Sequence, residues 1–183
     1  EAIGSKFGIG RDMHIGDTII GIKGRMAQMA RDEKVSADTV AAVSDGDVTV
    51  PVHFFELAHA LEEARANDRE AFTNLATAYA RAAHLADAEL GTEVDRKLMG
   101  DAELALLDAT DAARDEVASA LDARDFKAVI AALAALRGPI DAFFDDVMVM
   151  DEDLAVRENR LRLLNRFESV FAGIANIGEM ARK

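Results

Sequence analysis

Four arginines, Arg157, Arg160, Arg162 and Arg166, stand within ten residues in the stretch DLAVRENRLRLLNRF. A guanidinium pairs with phosphate through two parallel hydrogen bonds and stacks on an unpaired base, so helically spaced arginines can form one edge of an RNA site. Arg162 and Arg166 are one turn apart and suit that role. Arg157 and Arg160 have a second role open to them. They can bridge to Asp145, Asp146 or Asp153 and lock the segment onto the preceding helix. Other chemistry is poorly provided for. His53 and His59 are six residues apart with no glutamate following, whereas a helical pair of zinc ligands needs a spacing of four. They read as surface or core-edge histidines. Gly4-Ser5-Lys6 lacks the spacing of a phosphate loop, and Ser5, Ser36 and Ser44 sit in no nucleophile elbow. The acids of FFDD (143–146) and DEDL (151–154) fit helix ends, and DEDL lacks the glycine and trailing glutamate of a calcium loop. No catalytic residue, metal site or cofactor is expected in this segment.

The elements that must position these arginines are helices. The chain has 183 residues, half of them apolar, with two prolines, one tyrosine and no tryptophan. Ala, Leu, Glu, Asp and Arg fill the long periodic stretches, which predicts an all-α bundle of about six or seven helices. Without cysteine there are no disulfides, thiolate ligands or thiol nucleophiles, in keeping with a cytoplasmic protein. EAIGSKFGIG contains no apolar stretch of signal or membrane-spanning type. Residues 154–183 carry a net charge of +3 and the remainder −16. So acidic a body argues against a general nucleic-acid or DNA binder but leaves room for a local basic face directed at one RNA.

Along the chain, the glycine-punctuated residues 1–20 read as a flexible lead-in or linker and 21–183 as the all-helical domain. A first helix is expected from Asp17 or Thr18 to about Arg31, with Ile19, Ile22, Met26 and Met29 on one side. A short helix follows over 36–43, then turn chemistry in SDGD (44–47). Pro51 suits the first turn of the next helix, and Asn67-Asp68 ends it. Further helices are expected over 69–86, 102–121 and 126–147, the last kinked or broken at Gly138-Pro139. Residues 89–101 read as a loop. Asp151 is the expected N-cap of a final helix over 152–177, with Leu154, Leu161, Leu164, Phe167, Phe171 and Ile174 on its apolar face. If 140–150 and 154–177 pack antiparallel, Phe143, Phe144, Val147 and Met150 bury against Leu161, Leu164 and Phe167.

PIDAFFDDVMVMDEDLAVRENRLRLLNRF (139–167) resembles the closing motif of the bacterial glycyl-tRNA synthetase beta subunit family. An acidic FFD-VMVM segment, an acidic turn and a helix of the form R-x-N-R-L-x-L-L occur in that order. IANIGEM (174–180) is similar to the family's ending, and 53–87 and 23–43 fit its upstream segments more weakly. The family often has a Lys-Arg pair and a later Asn where this chain has Ala80-Arg81 and His84, so Arg81 alone is carried over as an RNA contact beside the four α-helical arginines above. The resemblance implies a carboxyl-terminal anticodon-binding domain of the DALR type, shared with arginyl-tRNA synthetase. It implies tRNA(Gly) as partner, together with an alpha subunit holding the glycine and ATP site in a heterotetramer of two alpha and two beta subunits. A helical protein-interaction or assembly module is the rival expectation, supported by the acidic body. The two differ in whether several bases converge on one exposed surface with few acids among them.

Overall fold

The computed structural model describes the backbone of residues 11–44 and 51–181, and the side chains of 20–44 and 52–181. Eight α-helices and no strands occur among the described residues. They are α1 (Arg11–Asp32), α2 (Ala37–Ser44), α3 (Pro51–Asn67), α4 (Arg69–Leu85), α5 (Asp101–Asp122), α6 (Phe126–Ala135), α7 (Arg137–Asp146) and α8 (Leu154–Ser169). Short 3₁₀ turns occupy Ala88–Leu90, Arg96–Leu98 and Ile177–Ala181. The all-α expectation holds. The turn expected at 45–47 lies outside the described residues, as do 1–10.

Local chemistry sets most boundaries. Asp68 caps α4 by accepting from Ala71 N, and Asp125 caps α6 by accepting from Ala128 N. Glu103 reaches back to Gly100 N at 2.7 Å and so caps α5 from its own third position. Helices α1 and α5 close on left-handed residues, Lys34 (φ 67°) and Arg124 (φ 56°), each followed by backbone bonds that wrap the last turn.

Several expectations need correction. Helix α1 begins at Arg11, so the boundary drawn at residue 20 falls within a helix. Its buried face is Met26, Ala27 and Ala30, while Ile22 and Met29 are exposed; Ile19 has no described side chain. The break near Gly138-Pro139 comes at Leu136, because Pro139 fits the first turn of α7, where its missing N–H is harmless. The final helix is shorter than 152–177 and is capped by Asp153, which accepts from Ala155 N and Val156 N. Leu154 lies outside the apolar face and is exposed.

Helices α4, α5, α7 and α8 form the working unit. Both α7 and α8 make their main packing contacts with α4 and with α5, in place of the expected α7–α8 hairpin. Phe143, Leu163, Leu164, Phe167 and Phe171 fill the centre, with Phe167 and Phe171 ring centroids 5.3 Å apart. The tail returns to α4 and α2, with Asn176 N donating to Ala42 O at 2.9 Å. Gly178 lies so close to α4 that an added Cβ would stand 3.3 Å from the Tyr79 ring.

Candidate nucleic-acid interface

Helix α8 follows directly on its capping turn, which brings Arg160 over the 148–151 segment. The Arg160 Nε donates to Glu103 Oε1 at 2.9 Å, and Nη1 donates to Met148 O at 2.8 Å and to Asp151 Oδ2 at 2.7 Å. Asp151 is thus drawn inward, also accepting from Asp153 N, while Asp153 takes the capping role. The Asp153 N–H and Arg160 together hold the Asp151 carboxyl below its usual range. Partial burial works against the Arg160 charge, but hydrogen bonds to Glu103 and Asp151 outweigh it and raise its pKa. The bridging partners are Glu103 and Asp151, not Asp145, Asp146 or Asp153 as the sequence suggested.

Three other polar side chains of α8, Asn159, Arg162 and Asn165, are directed at the 86–100 connection. Asn159, buried, accepts from Asp95 N at 2.7 Å and donates to Asp95 O at 3.0 Å. Asn165, also buried, accepts from Asp87 N and donates to Asp87 O and Gly91 O. Arg162 donates to Leu90 O at 3.2 Å and pairs with Glu158 at 3.1 Å. Arg166 pairs with Asp111 of α5 at 2.7 Å; the bond from that carboxylate raises its pKa. Sequence reasoning missed the two asparagines. The available signal was an amide on the inner side of a helix, which persists there only where it meets backbone groups.

Two of the five candidate arginines have no acidic partner among the described residues. Arg157 makes one long bond, Nη1 to Asp151 O at 3.4 Å. Arg81, exposed on α4, sets its guanidinium carbon 4.0 Å from the centroid of the Phe144 ring. Both border the same junction. From Val147, whose backbone is extended (φ −117°, ψ 123°), side chains alternate: Val149 is buried, while Met148 and Met150 are 75% and 57% exposed. The expected burial of Met150 is therefore wrong; Arg160 fixes the segment with that methionine outward. An open groove results, lined by Arg81, His84, Phe144, Asp145, Met148 and Met150. His53 and His59 lie elsewhere, His53 against the Phe126 ring and His59 3.1 Å from Glu33. Among the described residues, no three His, Asp or Glu side chains gather as metal ligands, and no helix is long and apolar enough to cross a membrane.

The chain is similar to proteins named glycine–tRNA ligase beta subunit. With that of Acinetobacter baylyi it shares 36% identity over 169 residues, which is 91% of this chain and 24% of the relative. For Vibrio cholerae the figures are 37% over 159 residues, 84% and 23%; for Vibrio parahaemolyticus, 36% over 165, 88% and 24%. The chain thus spans about a quarter of the length of these curated relatives. The model of the DALR anticodon binding domain matches residues 75–177, from within α4 to the closing 3₁₀ turn. That match takes in the groove, its arginines and the whole of the α5–α8 scaffold beneath them, and the chain belongs to the DALR anticodon binding domain family.

Proposed function

We propose that this chain is the tRNA-recognition domain of a glycine–tRNA ligase beta subunit and binds the anticodon arm of tRNA(Gly). The observation that carries this is the family match over residues 75–177, which coincides with the unit displaying Arg81, Arg157 and the exposed junction between them. The relatives' names support the glycyl form over the arginyl one. On this reading the domain positions tRNA for an alpha subunit in a cytoplasmic heterotetramer of two alpha and two beta subunits. That subunit holds glycine and ATP, so this segment needs no cofactor.

One observation favours a second reading, an assembly module. Arg160, Arg162 and Arg166 are all engaged by carboxylates, which leaves a small basic face on an acidic body. Binding of the chain to tRNA(Gly) and to an anticodon-swapped tRNA, across a salt series, separates the two. Selective binding that weakens with salt is expected for anticodon recognition. Equal weak binding to both, or none, would overturn it and favour assembly.

A further inference from the structure

Resting on the anticodon-arm reading, we propose that the groove between α4 and the 144–150 segment takes one unstacked base of the bound RNA, with the Arg81 guanidinium as its stacking face and Met148 and Met150 as its walls. Seven other arginines, Arg65, Arg96, Arg114, Arg137, Arg160, Arg162 and Arg166, each lie within 4.0 Å of a carboxylate. Arg81 instead sits on an aromatic ring that is itself half-buried, which holds one face of the guanidinium and leaves its side chain exposed to the groove. A planar cation supported in this way is already ordered for stacking, and base stacking is tolerant of sequence because every base has a π-face. The methionines complete the fit. Thioethers are polarizable and pack favourably at the edge of aromatic rings. Both are exposed, and the backbone beside them is held by the Arg160 bond to Met148 O.

Charge argues for a base here rather than the RNA backbone. Asp145 and Asp146 line the same groove and repel phosphate, while a neutral base can enter beside them and donate hydrogen bonds to their oxygens. The phosphates are then left outside the groove, on the side of Arg157, whose one bond among the described residues is to Asp151 O.

The test uses the full chain and tRNA(Gly) carrying 2-aminopurine at one anticodon-loop position at a time. One position is expected to change its fluorescence on binding. Arg81→Lys keeps the charge but loses the plane, so it should remove that change and weaken binding roughly ten-fold with an unaltered salt slope. Phe144→Leu keeps the apolar support but loses the ring, and should give a smaller loss of the same kind. Thermal unfolding of both variants separates these effects from misfolding. Binding and fluorescence identical to the parent in Arg81→Lys would overturn the base pocket alone and leave Arg81 as a simple charge or the groove as a protein contact. No binding by the parent chain at any salt would overturn both this inference and the reading it rests on.

Discussion

Fifty-seven residues apart in sequence, Arg160 and Glu103 meet with Nε 2.9 Å from the carboxylate, their side chains only 14% and 5% exposed. The same carboxylate caps α5 through Gly100 N, and the same guanidinium holds Met148 O and Asp151. One ion pair therefore joins the start of α5, the exposed junction and α8. It gives the arginine-rich helix a structural role before any RNA is considered.

Replacing Arg160 by Met should leave a buried carboxylate without its partner and cost about 3–5 kcal/mol in urea unfolding at neutral pH. Combining it with Glu103→Leu should cost less than the two single losses added together, because neither charge is then stranded. Additive losses would mean that the two side chains act independently.

The two phenylalanines of FFDD should separate. Phe143 is fully buried, so Phe143→Ala should cost about 3–5 kcal/mol. Phe144 is half-buried beneath Arg81, and Phe144→Ala should cost roughly half as much. Chemical denaturation of both variants checks the order, and a larger loss for Phe144 would contradict the packing described.

The sequence was informative where local rules decide structure. The 3.6-residue spacing of Phe72, Leu75 and Tyr79, and the breaks at Asn67-Asp68 and Arg124-Asp125, mark α4 and α6 because periodicity and chain breaks act over a single turn; the capping by both aspartates emerged only in the structure. It was less informative at the junction. VMVM has the apolar character of a helix end, but its backbone becomes extended at Val147, Arg160 of α8 holds Met148 O, and Met148 and Met150 are exposed. Glu103 reads as an ordinary first-turn acid, and its partner lies far along the chain. The family motif contains both Asn159 and Arg160 without assigning a partner to either. Whether each faced RNA or backbone depended on tertiary contacts that no spacing encodes.

A short change at the end of α5 tests its closure. Arg124 adopts a left-handed conformation that costs a side-chain-bearing residue energy glycine does not lose. Arg124→Gly should stabilise the chain by about 0.5–1 kcal/mol in thermal unfolding, part of the gain being offset by greater freedom of the unfolded chain. A loss would show that the Arg124 side chain makes contacts that matter more.

Acid sensitivity should arise partly at the α2–α3 corner. Ser36, Asp38, Glu62 and Arg65 form one network, with Arg65 Nη1 2.7 Å from Asp38 and Nη2 2.8 Å from Glu62. Burial tends to raise the Asp38 pKa, but the Ser36 hydroxyl and the Arg65 charge hold it below its ordinary value. A depressed folded-state pKa adds stability above the unfolded value, about 4, and that contribution is lost as pH falls through the folded one. Asp38→Asn should therefore be less stable than the parent at pH 7, with the difference shrinking below about pH 4. A constant difference across a pH series of urea unfolding curves would remove Asp38 from the acid response.

The arginines of α8 should divide by partner rather than by position. Among the described residues Arg157 has no carboxylate partner, so Arg157→Ala should weaken tRNA binding at low salt and lower the salt slope by about 1, as expected for one lost phosphate contact. Arg162 is held by Leu90 O and Glu158, so Arg162→Ala should leave affinity within about two-fold while loosening the 86–100 connection, seen as faster amide exchange there. Charge reversal at Arg166 is a poorer probe, because a glutamate there would face Asp111 and mix lost binding with lost stability. If Arg162→Ala weakens tRNA binding more than Arg157→Ala does, the RNA approaches the flank of α8 beside the 86–100 connection, and the junction at 148–151 is not the centre of the interface.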